Sequence, residues 1–175
     1  MELRSAEPGD ALAVARVHVR AWQAGYRALL PAEYLERLDP RERAQSYTLG
    51  NPDPQQPATV VASEAGAVIG FATTAPARDA DAPGCGELCA LHVDPDWWGR
   101  GVGVALVAAA RAHLVERGFG QAIVWVLAGN TRAERFYRGD GWRPDGARRM
   151  ETVWGLAVEE ARWRRALAQA PCFPR

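Results

Sequence analysis

The sequence predicts a mixed α/β fold, one central sheet with helices packed on both of its faces. Three observations predict it. Apolar residues recur at helical spacing over residues 11–26 and again over 99–117. Strand-like runs fill the interval between those helices and the region after them. One run, residues 121–127, is almost wholly apolar, as a strand covered on both faces should be. The order is a helical opening, a meander of strands, strand–helix–strand–helix, and strands again, which requires helices on both sides of one sheet.

Each element has its own local reason. Leu3 and Arg4 read as a short first strand. Residues 7–10, Glu-Pro-Gly-Asp, turn the chain into a helix, with Asp10 as the expected N-cap. Leu12, Ala15, Val19 and Trp22 line that helix, which ends near Tyr26. Pro31 opens a short helix holding Tyr34 and Leu38, and Pro40 starts another that reaches about Tyr47. Residues 51–57 are a proline-rich turn. Strands over 58–63 and 67–74 flank Glu64-Ala65-Gly66 as a hairpin. A polar loop over 78–86 precedes a strand over 88–93, which Pro95 stops. Val102, Leu106, Ala109, Ala110, His113 and Leu114 make one face of the helix over 99–117, and Gly118 caps its end. Asn130 opens a short helix through Tyr137. Three strand candidates close the chain, over 141–143, 150–154 and 158–163.

Length and composition fit one domain over residues 1–175, since the 175-residue chain is 48% hydrophobic and 24% charged. The formal charge is zero, with 21 basic and 21 acidic residues, so neither nucleic acid nor an anionic membrane is an expected partner. All the basic residues are arginine, which removes a lysine ammonium as base or Schiff-base former. Cys85, Cys89 and Cys172 form no CxxC pair, so neither a disulfide framework nor a metal site is expected. No run approaches the roughly 20 apolar residues that span a bilayer, and no basic-then-apolar leader opens the sequence. The expected compartment is a reduced cytoplasm.

The chemistry concentrates in residues 87–103, E-L-C-A-L-H-V-D-P-D-W-W-G-R-G-V-G. A strand runs through a turn into a helix whose first residues are Gly99, Arg100, Gly101, Val102 and Gly103. Free amides at a helix N-terminus attract anions. Glycines let a pyrophosphate approach the backbone without meeting a Cβ, and Arg100 adds a charge. The dinucleotide fingerprint fails, because Val104 stands where its third glycine belongs, and the phosphate loop ending G-K-[ST] fails as well.

Leu91-His92-Val93-Asp94-Pro95 followed by Trp98-Gly99-Arg100-Gly101-Val102-Gly103 resembles the acetyl-CoA motif of the GNAT superfamily of N-acetyltransferases. Trp98 departs from it, standing where that family most often has Arg or Gln. A second stretch is similar to the family's other signature: Val124-Trp125-Val126-Leu127, then Asn130-Thr131-Arg132-Ala133-Glu134-Arg135-Phe136-Tyr137, then Gly141-Trp142. Asp10, Trp22, Tyr26 and Pro31 follow the family's usual opening order. The resemblance reaches to about residue 168 and leaves the tail outside.

The resemblance implies a mostly antiparallel sheet with one splayed pair of parallel strands that take in the arm of acetyl-CoA. It implies that the backbone of Leu91 and Val93 pairs with that arm, and that a strand amide near Leu91, His92 or Val93 meets the developing oxyanion. Gly99, Arg100, Gly101, Val102, Gly103 and Val104 would hold the pyrophosphate. Asn130 would contact the arm, and equally reads as a helix N-cap. Tyr137 would place its hydroxyl near the thioester sulfur and donate a proton. Spaced seven residues apart, Asn130 and Tyr137 share one helix face. Glu87 is the candidate base for the amine, His92 and a water relay being alternatives; His92 also reads as a structural residue facing away from Leu91 and Val93. Trp22 and Tyr26, four apart on one helix, either wall an acceptor pocket or pack the core. No metal is expected. A homodimer through the C-terminal strands is the family habit, and Trp154 or Trp163 would serve such an interface or the core. Three acceptor classes stay open: a small amine, a protein N-terminus, and a protein lysine. The other reading is a non-catalytic acyl-CoA sensor.

Overall fold

The first strand is held in place by an ion pair that also shapes the turn after it. In a computed structural model describing residues 1–167, β1 (Glu2–Ser5) carries Arg4, which donates to both oxygens of Asp10 at 2.7 and 2.9 Å. Asp10 also accepts from the Glu7 amide at 2.8 Å. Its carboxylate is thus used behind the helix, and it makes no cap bond to α1 (Ala11–Gly25), contrary to the sequence expectation. Two short helices follow, α2 (Ala32–Glu36), which stops before Leu38, and α3 (Pro40–Ala44), capped by Asp39 accepting from the Arg41 amide at 2.7 Å.

With β1, the strands β2 (Ala58–Glu64), β3 (Ala67–Pro76), β4 (Gly86–Val93), β5 (Gln121–Leu127), β6 (Arg143–Val153) and β7 (Leu156–Ala166) make one seven-stranded sheet of order β1-β2-β3-β4-β5-β7-β6. β2 (Ala58–Glu64) and β3 (Ala67–Pro76) form the expected hairpin, closed by Ala65 and Gly66, both at positive φ. β4 (Gly86–Val93), α4 (Val102–Glu116), β5 (Gln121–Leu127) and α5 (Thr131–Gly139) supply the strand–helix–strand–helix unit. Helix α4 starts at Val102 rather than Gly99, because Gly99 and Gly101 both take left-handed φ, 74° and 82°, which no α-helix contains. Gly118, at φ 86°, ends it as expected, its amide bonding Val115 and the Phe119 amide bonding Leu114.

All neighbouring strands are antiparallel except β4 and β5, which are parallel and pair only at Gly86–Ala122 and Glu87–Ile123. The cause of the early stop lies on the other edge of β4. Thr74 pairs with Leu88 and Thr73 with Ala90, leaving Cys89 as an extra residue. A bulge bends its strand, and beyond it β4 runs away from β5. The splay implied by the family resemblance is therefore present.

The two faces of the sheet carry separate cores. On one, Leu88, Val93, Val124 and Val126 pack with Leu106 and Leu114 of α4 and with Tyr137 and Trp142. Leu106 and Leu114 are fully buried, a contribution of about 2 kcal/mol each. On the other, Val61 and Phe71 pack with Val14 and Val17 of α1. Among the described residues no helix is long and apolar enough to cross a membrane.

The closing strands differ from the expectation of three. There are two, β6 (Arg143–Val153) and β7 (Leu156–Ala166), joined by a turn in which Trp154 and Gly155 have φ 50° and 80°. Pro144 and Gly146 look like strand breakers, but a bulge absorbs them: pairing passes from Pro144–Trp163 straight to Arg148–Ala161. The bulge turns Asp145 onto Arg162, a buried arginine that also binds Asp81 at 2.7 and 2.8 Å and Asp79 at 3.2 Å. That cluster pins the loop before β4 to the hairpin. Trp163 is a core residue, whereas Trp154 packs on Trp22 and His18. Cys172 lies outside the described residues.

Candidate active site

A cleft of about 690 Å³ opens where β4 and β5 part. One wall is β4 from Leu88 to Val93, whose edge facing β5 is unpaired past Glu87. Such an edge offers alternating N–H and C=O groups to an extended ligand. The other wall is Val124 to Leu127 of β5, with Asn130, Ala133, Phe136 and Tyr137 of the following helix.

One end of the cleft is an anion cradle. The first bond of α4 runs from the Ala105 amide to the Gly101 carbonyl at 3.0 Å, so the amides of Val102, Gly103 and Val104 have no acceptor within the helix. These three residues, with Gly99 and Gly101, line the cleft. A Cβ at Gly99 or Gly101 would meet nothing within 4 Å, so the space before these amides is open to a ligand. Trp98 fills its position in a different way from a polar residue. Its indole donates to the Val93 carbonyl at 2.7 Å, and its ring carries the Arg132 guanidinium 3.3 Å above its centroid. Burial there lowers the Arg132 pKa, so the cation is short of water and favours an anion. Arg100 stacks on Trp97 at 5.1 Å, is exposed, and lies outside the lining.

The other end holds the titratable groups. Tyr137 is 7% exposed, packed edge-on against Phe136 and Trp142, and burial raises its pKa well above the usual tyrosine range. Asn130 caps α5, accepting from the Ala133 amide at 3.1 Å, and its side chain also meets the Tyr26 hydroxyl. The cap and cofactor readings of Asn130 are therefore compatible. Burial, and then the nearby Glu160 charge, push Tyr26 up to about 12. Trp22 and Tyr26, at 4.7 Å, both line the cleft.

His92 lies on the α1 face, stacked on His18 at 4.2 Å, opposite the face where Leu91 and Val93 pack. Burial first, and the Arg43 charge second, hold its pKa down to about 3. Cys89 opens on the cleft, but desolvation and then Glu87 push its thiol up to about 12, so it stays protonated and is no nucleophile at neutral pH. Glu87 lies at the joined end of β4 and β5, outside the lining, with its pKa raised by burial.

Several lining residues are absent from the sequence expectation: Arg43, Arg132, Arg149, Glu151 and Glu160. Arg149 bonds Glu160 at 2.8 Å and reaches Glu151 at 3.8 Å. A signal for Glu160 existed. Val158, Glu160 and Arg162 alternate along one strand face, and charge on a file shared with an apolar residue marks a lined site.

The described geometry fits an acyl-CoA, with a strand edge for an amide-bearing arm and free amides for a pyrophosphate. Comparison with known proteins agrees. The family described as Acetyltransferase (GNAT) family matches residues 19–142. The chain is 30% identical over 128 residues to the uncharacterized N-acetyltransferase YuaI of Bacillus subtilis (strain 168), covering 73% of this chain and 72% of that protein. It is 41% identical over 85 residues to the mycothiol acetyltransferase of Thermobispora bispora, covering 47% of this chain but only 28% of that longer protein. In fold it is similar to the PaiA N-acetyltransferase of Thermoplasma acidophilum, solved in complex with coenzyme A, with a TM-score of 0.68, 18% identity, and coverage of 94% and 98% of the two chains.

Proposed function

Because the chain belongs to the Acetyltransferase (GNAT) family, we propose that it transfers acetyl from acetyl-CoA to a small-molecule amine by direct attack. The observation that carries this reading is the splayed β4–β5 pair, with free helix amides at one end of the cleft and Tyr137 at the other. Bound acetyl-CoA supplies a thioester, whose thiol leaves with a pKa near 8.5. The β4 edge orients the arm, and the amides of Val102, Gly103 and Val104 hold the pyrophosphate.

Tyr137 holds a proton for the departing sulfur. Its raised pKa keeps that proton in place at every working pH, so Tyr137 steadies the departing thiolate chiefly as a hydrogen-bond donor, full transfer to a thiolate of pKa near 8.5 being uphill. An amine of pKa near 10.4 must lose a proton before attack. Glu87, made more basic by burial, accepts it through a relay, since it stands behind the lining. The aromatic wall of Trp22 and Tyr26, backed by Trp154, suits a compact acceptor with an apolar part. The balanced charge of the chain gives no attraction for a charged macromolecule.

A thermal-shift titration tests the cofactor half. Acetyl-CoA at a hundredfold excess over its Kd should stabilise the fold by about 2.7 kcal/mol. Thiol release with amines tests the other half, where Tyr137→Phe should lower kcat about 10- to 100-fold and leave the acetyl-CoA shift intact. A folded protein that acetyl-CoA does not stabilise ends the transferase reading. Stabilisation without thiol release for any amine points to a sensor.

A further inference from the structure

Resting on the transferase reading, we infer that the acceptor carries a carboxylate, which Arg43 binds. The arginines of the cleft are not alike. Arg149 is neutralised by Glu160 and Glu151. Arg132 belongs to the cofactor end, on Trp98. Arg43 comes from α3, half-buried, with its guanidinium 4.6 Å from the ring centre of Trp154 and 5.0 Å from that of Tyr47. Its Nε donates to the Tyr47 hydroxyl at 3.3 Å. Among the described residues no carboxylate stands within ion-pair distance of it.

A guanidinium that lines the cleft and, among the described residues, makes no hydrogen bond or ion pair through its terminal nitrogens matches a carboxylate in fork geometry. Its surroundings strengthen the case. His18 and His92 both feel the Arg43 charge, which holds them further toward neutrality, and Asp39 and Glu42, which line the neighbouring groove with Arg43, make no ion pair with it.

The body of the acceptor follows from the wall between Arg43 and Tyr137. Trp22 and Tyr26 line the cleft 4.7 Å apart, Trp154 backs Trp22 at 4.4 Å, and Asn130 lines the cleft with them. An amine presented at the Tyr137 end and a carboxylate at Arg43 are thus bridged by an apolar or aromatic body lying along these rings. The substrate class is an amino acid in the broad sense, a primary amine and a carboxylate on one apolar frame.

The test compares kcat/KM for three matched pairs: phenylalanine against phenethylamine, aminomethylbenzoate against benzylamine, and aminohexanoate against hexylamine. The carboxylated member of at least one pair should be preferred by about 10- to 100-fold, the worth of a charge-assisted fork contact. Arg43→Gln should abolish the preference through KM, and Arg43→Lys should restore part of it. A retained acetyl-CoA thermal shift in both variants shows that they fold. Equal turnover, preference for the member lacking a carboxylate, or no turnover of any pair by a protein that acetyl-CoA stabilises overturns this inference alone. Absence of that stabilisation in the unaltered protein removes the reading beneath it.

Discussion

His92→Leu should remove a large part of the stability that the protein loses on mild acidification. In the folded state burial, seconded by Arg43, holds the His92 pKa to about 3, while an unfolded chain titrates near 6.5. Between those values the unfolded state binds a proton that the folded state refuses. Stability is therefore complete above pH 6.5 and declines as the pH falls toward 3. At pH 5 the unfolded state has gained about 1.5 log units of proton affinity from this one ring, roughly 2 kcal/mol. His18 acts in the same direction, lowered by burial, then by His92 and Arg43. Glu87 acts in the opposite one, since its raised pKa lets the folded state bind a proton first. Asp10, Asp81 and Asp145 are all held below the ordinary carboxylate value, so they too cost the folded state stability as the pH falls. These other groups are common to both proteins and largely cancel in the difference. Urea unfolding followed by tryptophan fluorescence, at pH 8 and pH 5, gives the two losses. The loss in His92→Leu should be smaller by about 2 kcal/mol. Equal losses, or an imidazole resonance of His92 that titrates near 6.5, would refute the reasoning.

Two further substitutions probe the ends of the same scaffold. Gly101→Ala forces a side chain onto a residue at φ 82°, at a cost of about 1 kcal/mol, and narrows the cradle; both Tm and the acetyl-CoA shift should fall. Arg162→Ala leaves Asp79 and Asp81 without their cation and Asp145 with Arg164 alone, and should cost about 3 kcal/mol at pH 7. Because, against burial, the Ala147 amide and then Arg162 and Arg164 depress the Asp145 pKa, part of that deficit should shrink as the pH falls through the carboxylate range, read by urea unfolding at pH 7 and pH 4.

Much of the site was legible because it depends on backbone conformation. The glycines at 99, 101 and 103 announce an open backbone at the start of a helix, although the left-handed turn at Gly99 and Gly101 that delays it to Val102 did not show, and the apolar residues over 121–127 announce a strand covered on both sides. Periodicity also placed His92 away from Leu91 and Val93, since alternation along β4 is undisturbed after the bulge. What escaped depends on register and distance. No local signal shows that Cys89 is a bulge, yet that extra residue is what lets β4 leave β5 and open the cleft. Pro144 and Gly146 read as breaks because a three-residue bulge opposite Arg162 exists only when β7 is there to pair across it. Asp10 looked like a cap because its competitor, Arg4, lies in a preceding strand.

The charges that the sequence hid share one origin. Arg43 reaches the cleft from a five-residue helix, and Arg149 and Glu160 from the hairpin, so each enters from an element far in sequence from the motif that defines the fold. The division is physical. Holding a pyrophosphate and an extended arm needs backbone amides in a fixed arrangement, which few residue types besides glycine permit. Selecting an acceptor needs only side chains that project into the same space, and any strand or helix bordering the opening can supply them. The cofactor end is therefore written in two short motifs, residues 88–104 and 130–132. The acceptor end is assembled from α1, α3 and the β6–β7 hairpin, and becomes readable only once those elements are folded around Tyr137.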